Sequence, residues 1–452
     1  MNGFPAREQV PLLERLALHR PELRAWALYD WANSAMITVI VAAVYPIYFS
    51  KVAARGFADG EASATHAKAT VIALLVVAVL APLLGAVADR AGCKKRLLAC
   101  FLALGACSTA GLVFVGEGDW LLGSALFVLA NIGAAGSFVF YDALLPHVAR
   151  DGELDRVSTT GFALGYLGGG LALGLCLMLI QKPEWFGLAD LDATWPVRIS
   201  FVLVAVWWLA FSVPLFRRVR EPETSGDVRI AFGPAVRSSI RDLRGTLRDL
   251  WRLRSAFWML VAFLIYNDGI ATIYRMAAIY GDEVGIEQGA LIAAILAVQF
   301  IGIPTTFAFG ALAQRFGTKR MILTGVVIYA LSGLLAYRMT TKEEFFMLAG
   351  MIALVQGGTQ ALSRSLFASL VPARRSGEFF GLFAVLDRFA GVIGPLMFAV
   401  CATAFDSSRA AVLPLIGLFV VGGLILSRVD VLSGRRAVRE ANTPARSEAA
   451  SD

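Results

Sequence analysis

Gly85-Ala86-Val87-Ala88-Asp89-Arg90-Ala91-Gly92-Cys93-Lys94-Lys95-Arg96 and Gly310-Ala311-Leu312-Ala313-Gln314-Arg315-Phe316-Gly317-Thr318-Lys319-Arg320 are one pattern written twice, 225 residues apart. A glycine opens each copy, a polar residue and an arginine follow, a second glycine comes next, and basic residues close it. The same offset carries Asn131 onto Gln356, Gly133 onto Gly358, and Gly152-Glu153 onto Gly377-Glu378. A register shared at separate places predicts two related halves, a plan used by transporters that hold solute between their halves.

Apolar blocks flank both copies. The chain has 452 residues, 58% hydrophobic and 17% charged, with a mean hydropathy of +0.68. Soluble domains carry nearer about 25% charged residues. The blocks run to about 18–27 residues, enough to cross a hydrocarbon core as helices. Lipid offers no partner to a backbone N–H or C=O, so each span must satisfy its own groups. The short alternating stretches of a membrane β-barrel are absent from the sequence.

Helices are predicted at 25–49, 69–88, 97–115, 120–146, 158–180, 197–216, 256–280, 288–313, 321–338, 344–371, 379–404 and 409–427. The expected fold is therefore all-α and integral to the membrane, with twelve transmembrane helices in two pseudo-symmetric six-helix bundles. The expected organisation is an N-terminal segment 1–24, a bundle 25–216, a linker 217–255, a second bundle 256–428 and a flexible tail 429–452. The first apolar block ends at Tyr45-Pro46-Ile47-Tyr48-Phe49 without a small-residue cleavage site, so it reads as a span and not a removable signal.

The net charge of +7 is not a nucleic-acid signature once the charges are placed. Most Lys and Arg fall in the N-terminus, the even-numbered loops and the C-terminus, the positive-inside pattern, with both termini cytoplasmic. Arg far outnumbers Lys and Ala is abundant, which points to a GC-rich bacterial genome and its cytoplasmic membrane. In the linker, Arg237, Arg241, Arg244, Arg248 and Arg252 form one helical stripe. Val236, Ile240, Leu243, Leu247, Leu250 and Trp251 form another. That is the pattern of an interfacial helix beside anionic lipid, with a partner-binding helix as the alternative.

The repeated loop has its own physics. Gly85 and Gly92, and Gly310 and Gly317 in the second copy, allow close backbone approach and tight reversal. Asp89 can face a helix N-terminus, near Ser376-Gly377-Glu378, and hold one side of the protein shut. Arg90, Lys94, Lys95 and Arg96 anchor the first loop, and Arg315, Lys319 and Arg320 the second. Gln314 stands where Asp89 stands and should grip less tightly.

The pattern resembles the loop between helices 2 and 3 of the major facilitator superfamily. A narrower resemblance rests on Tyr29-Asp30-Trp31-Ala32-Asn33-Ser34-Ala35, Tyr141-Asp142 with Pro146, Gly165-Tyr166-Leu167-Gly168-Gly169 and Tyr266-Asn267-Asp268-Gly269. It also rests on Gly357-Gly358-Thr359-Gln360-Ala361-Leu362-Ser363-Arg364-Ser365 and Glu378-Phe379-Phe380-Gly381. Together these are similar to the vacuole-effluxer-like branch, named for fungal vacuolar exporters of amino acids linked to autophagy. The resemblance implies the twelve-helix fold and a cavity lined by helices 1, 4, 7 and 10.

Those helices carry polar residues where lipid should be, at an insertion cost of about 2.5–3.5 kcal/mol per central charge. Helix 1 has Asp30 and Asn33, and helix 4 has Asn131, Tyr141 and Asp142. Helix 7 has Asn267, Asp268, Thr272 and Arg275, and helix 10 has Gln356, Gln360, Ser363 and Arg364. Helix 11 adds Asp387 and Arg388. Arg364 is the candidate fork for a substrate carboxylate, and Asp30 or Asp268 the group facing an ammonium. The competing reading pairs Arg364 with Asp387 as a structural bridge between helices 10 and 11. Asp30, Asp142 and Arg364 could also only cap or snorkel at helix ends.

Cys93, Cys100, Cys107, Cys176 and Cys401 include no CxxC pair and read as packing residues. His19, His66 and His147 are scattered and read as loop residues. No metal or cofactor is called for, no phosphate-binding loop suggests ATP drive, and no nucleophile–base pair suggests an enzyme. The expected partners are a small-molecule substrate, a coupling proton and membrane lipid, with the protein acting as a monomer. The expected function is secondary transport, with amino acids or related metabolites leading. A drug or other metabolite exporter and a non-transporting sensor or scaffold are the alternatives.

Overall fold

The computed structural model describes residues 11–58, 61–150, 152–188, 190–192, 194–221, 245, 248–283, 288–390, 394, 396–397, 400–401 and 412–442. The helices, in chain order, are α1 (Pro21–Ala53), α2 (Glu61–Ala91), α3 (Lys94–Phe114), α4 (Trp120–Val148), α5 (Leu154–Gln181) and α6 (Trp195–Arg218). After the linker come α7 (Arg254–Glu283), α8 (Gln288–Phe316), α9 (Thr318–Arg338), α10 (Lys342–Ala368), α11 (Ser376–Phe389), α12 (Leu413–Ser427) and α13 (Val431–Asn442).

Among the described residues, 10 helices are long and apolar enough to cross a membrane, or 11 if the bent pair α12–α13 counts as one span. The expected twelve included an eleventh at 379–404, most of whose second half lies outside the described residues. Most helices run a few residues beyond their predicted ends, because a hydropathy pattern omits polar first and last turns. Pro21 at the first turn of α1 and the capping box of Thr341 with Glu344 at α10 show how those turns are started. The linker stripe falls mostly outside the described residues; at its end Leu250 is buried and Trp251 exposed.

α1 is not one regular helix. It is α-helical over Pro21–Ala35, π-helical over Met36–Ala43, α-helical over Val44–Tyr48 and π-helical over Phe49–Ala53. Wide winding of this kind is rare and gathers at functional segments.

The halves meet through α2 with α11, α5 with α8 and α10, and α4 with α11. One buried apolar core runs through both, from Trp26 and Leu144 to Phe367 and Phe380. A second, around Tyr45, Phe127, Phe201 and Trp208, belongs to the first half alone. Apolar side chains such as Val79, 73% exposed, and Phe114, 77% exposed, face outward, as a hydrocarbon surround requires.

The crossings depend on missing side chains. A Cβ on Gly85 would lie 2.0 Å from the Gly377 carbonyl oxygen, so α2 and α11 touch backbone to backbone. A Cβ on Gly310 would lie 2.2 Å from Thr159 Oγ1 on α5. By the 225-residue register the second contact should fall at Gly152. It falls two helical turns further along, about 10 Å at 1.5 Å per residue.

Candidate functional site

Arg364 sits on the face of α10 turned toward the first half and is 3% exposed. Gly357 and Gly358 let α10 settle against α8, with Cβ positions that Thr306 and Phe309 already fill. Ser363, next to Arg364, shares a 2.6 Å hydrogen bond with Tyr266 of α7.

A guanidinium has five N–H donors, and each finds an acceptor across the interface. Nη1 donates to Asp142 at 2.9 Å and to Asp30 at 3.4 Å. Nη2 donates to Asp30 at 3.4 Å and to the Ser158 carbonyl at 3.1 Å. Nε donates to Ser158 Oγ at 2.9 Å. Aromatic faces enclose the rest: the guanidinium carbon is 4.5 Å from the Phe162 ring centre, 4.9 Å from Trp26 and 5.5 Å from Tyr141. Tyr141 donates to Asp30 at 3.2 Å, and Trp26 stacks on Tyr141 with ring centres 4.4 Å apart. α1 comes this close because Gly161 and Gly165 of α5 leave room for Trp26, Asp30 and Ser34.

This goes against the competing reading, in which Arg364 bridges to Asp387. Arg364 pairs with Asp142 and Asp30, while Asp387 accepts from Asn267 at 3.0 Å. Arg364 and Asp30 are also not snorkelling groups; both are buried, at 3% and 5% exposure. Helical spacing showed which face each residue occupies but not which helix lies opposite.

The other candidates divide. Asn33 leaves the cluster and donates to Ser137 at 3.1 Å. Asn131 donates back to the Phe127 carbonyl of its own helix at 3.0 Å, so it does not join Asp142. Asp268 is buried on α7, its main-chain carbonyl accepting from Thr272 at 2.7 Å. Gln360 is half-buried. The side chains of Arg275 and Arg388 lie outside the described residues.

Trp26, Ser158 and Phe162 were not singled out from the sequence. The available signal was a stripe on α5: Asp155, Ser158, Phe162 and Gly165 recur at one-face spacing. Asp155 belongs to the same seam, since Thr318 donates to it at 2.6 Å and Ser365 also reaches it.

A second site surrounds Asp89. Its carboxylate accepts from the Gly377 N–H at 3.0 Å and the Glu378 N–H at 2.8 Å, at the start of α11. An anion there meets unpaired donors and the positive end of the helix dipole. Lys94 stands 2.8 Å from Asp89 and donates to Ser376 at 3.0 Å. His147 lies 3.1 Å from Lys94. His147 and His66 are on helices α4 and α2, not in loops. Gly92 and Gly317 hold matching turns at φ 60 and 94, a region that favours glycine.

Lys95 donates to the Phe216 carbonyl in the last turn of α6 at 3.0 Å and to the Val219 carbonyl just past it at 2.6 Å. Its backbone N–H meets Glu221 at 3.0 Å, and burial pushes the Glu221 carboxyl up from its ordinary range. In the second copy Gln314 is exposed, and Lys319 instead reaches the end of α12 at Ser427 and Val429. Arg90 is half-buried, and Arg96, Arg315 and Arg320 are exposed.

The fold is that of the major facilitator superfamily. The structure is similar to an outward-conformation crystal structure of a transporter of that superfamily, FucP, with TM-score 0.68, 13% identity, and coverage of 92% of this chain and 99% of that one. It is also similar to the proton:xylose symporter XylE bound to 6-bromo-6-deoxy-D-glucose, with TM-score 0.64, 12% identity, and coverage of 92% and 96%. A family model described as "Vacuole effluxer Atg22 like" matches residues 62–439, and the chain belongs to that family. The chain is 36% identical over 90% of its length to "Uncharacterized MFS-type transporter YxiO" of Bacillus subtilis, covering 94% of that protein. It is 24% identical over 80% of its length to "Autophagy-related protein 22-1" of Phaeosphaeria nodorum, covering 75% of it. The chain is thus an integral membrane protein of a transporter family, not an enzyme.

Proposed function

We propose that this chain is a secondary transporter that moves a small polar solute by alternating access, the solute being an amino acid or related zwitterion and the coupling ion a proton. The observation that carries this reading is the buried contact of Arg364 with Asp142 and Asp30 across the two halves. A charged pair between separable bodies is a contact that a zwitterion can exchange: its carboxylate takes the fork of Arg364, and its ammonium takes a released carboxylate. Asn267, Asp268 and Gln360 complete the polar lining. Two carboxylates facing one guanidinium leave one negative charge over, which a proton neutralises, so uptake of solute and movement of a proton share one site.

Asp89 of α2, bonded to the first turn of α11, acts as the latch that holds the halves together on the face carrying the basic loops. On the charge bias, that face is cytoplasmic, both termini are on it, and the membrane is a bacterial cytoplasmic one. The direction is efflux. Counterflow of a labelled metabolite library in proteoliposomes tests the reading. Saturable exchange of a zwitterion, with a raised KM in Arg364→Lys, is the expected result. Exchange indifferent to Arg364→Lys, or none across the library, overturns it.

A further inference from the structure

The atoms that hold the head of Arg364 have an unequal origin. Trp26 and Asp30 belong to α1, Tyr141 and Asp142 to α4, Ser158 and Phe162 to α5. All are on the first half. Among the described residues the second half contributes Arg364 alone; its neighbours Ser363 and Ser365 face Tyr266 and Asp155.

Considered without Arg364, the first half keeps a receptor for a flat cation. It offers two carboxylates, a hydroxyl, a carbonyl and three aromatic faces within 5.5 Å of the cation's centre. The chemistry suits a guanidinium more than an ammonium. Guanidinium is planar, weakly hydrated, stacks on rings and forks onto carboxylates, whereas an ammonium holds its water tightly. A structural clamp needs one carboxylate. Here a second, Asp30, approaches the same group and is itself held by Tyr141 at 3.2 Å.

When the halves part, α10 carries Arg364 away and leaves Asp30 and Asp142 together without their cation. That state is costly unless another cation enters. We infer that this box on the first half is the binding site for the cationic group of the solute, of guanidinium or amidinium type, and that Arg364 is a tethered competitor filling it while the halves are joined. The inference rests on the transport reading and narrows it to a substrate class. It also prevents opening without cargo, because an empty box draws Arg364 back.

The test is chemical replacement of the missing head group. Purified Arg364→Ala is titrated with methylguanidinium at millimolar concentration and followed by thermal melting. The expected result is saturable recovery of at least half of the lost Tm, far less with methylammonium, and none when Asp142→Asn is added. No recovery, or equal recovery in the double variant, overturns the box. If Arg364→Ala cannot be purified, Arg364→Gln takes the same titration, since it keeps a long polar side chain.

In wild-type proteoliposomes, agmatine should compete with the exchanging solute, and Phe162→Leu should weaken that competition about tenfold. A solute that exchanges and ignores agmatine overturns the cation class and leaves the transport reading standing. Recovery by methylguanidinium without counterflow of any solute, agmatine and arginine included, overturns transport and leaves a cation box.

Discussion

Arg364 and Asp142 are separated by 222 positions and lie on opposite halves of the chain, yet Nη1 and the carboxylate meet at 2.9 Å in a buried setting. The contact joins α10 to α4 directly and excludes Asp387 from the role of partner. Arg364→Ala should therefore destabilise the protein by about 3–5 kcal/mol, the cost of leaving buried charge unpaired. Asp387→Ala should leave the Arg364 cluster intact, because Asp387 accepts from Asn267 and is not bonded to Arg364. Melting of the purified variants decides between them. A rescue of Arg364→Ala by Asp387→Ala would show that the pairing described here is wrong.

Asp89 accepts two backbone N–H groups of α11 and an ion pair from Lys94. Asp89→Asn keeps the shape but removes the charge that all three contacts prefer. Bonds to a charged group are worth about 1.5–3 kcal/mol each, so the transport rate should fall about tenfold or more. Gln314→Ala removes an exposed side chain and should change the rate less than about twofold. Equal effects in the two variants would sink the asymmetry.

Gly85→Ala pushes a methyl into the Gly377 carbonyl oxygen, 2.0 Å from the ideal Cβ position. The helices must separate, at a cost of about 1–3 kcal/mol. Gly174→Ala meets nothing within 4 Å and should be neutral or slightly stabilising. Comparable melting temperatures for the two variants would mean that α2 and α11 do not pack as described.

Arg252 and Glu117 are both exposed and belong to opposite faces by helix count, with side-chain exposures of 76% and 57%. A cysteine at 252 should resist an impermeant maleimide in intact cells and react after permeabilisation, while one at 117 should react in both. Labelling of 252 from outside would invert the proposed orientation.

The positions of Asp30, Asp142 and Arg364 were legible because a charge in an apolar block demands a reason. The alternative pairing of Arg364 with Asp387 is not the one that forms, for a physical cause. Periodicity places a side chain on a face of its own helix and carries no information about which distant helix packs against that face. Trp26 and Phe162 were hidden because an aromatic residue in an apolar run looks like ordinary packing until a guanidinium lies over its ring. The Asp89 contact was more readable: a repeated loop and a helix start on the same side of the membrane leave few other meeting points. The π-wound stretch Met36–Ala43 has no sequence mark, since its residues would suit a regular helix equally well.

The stagger between the two glycine contacts limits how such a molecule can move. If Gly85 and Gly310 met their partners at equivalent depths, the halves could swing apart evenly, like the covers of a book. Gly310 instead meets Thr159, two helical turns past the equivalent point, so α5 is slid along α8 relative to the way α11 sits on α2. Seams in two different registers give the halves no common straight hinge line, so the symmetry of the repeated loop is broken where the halves touch.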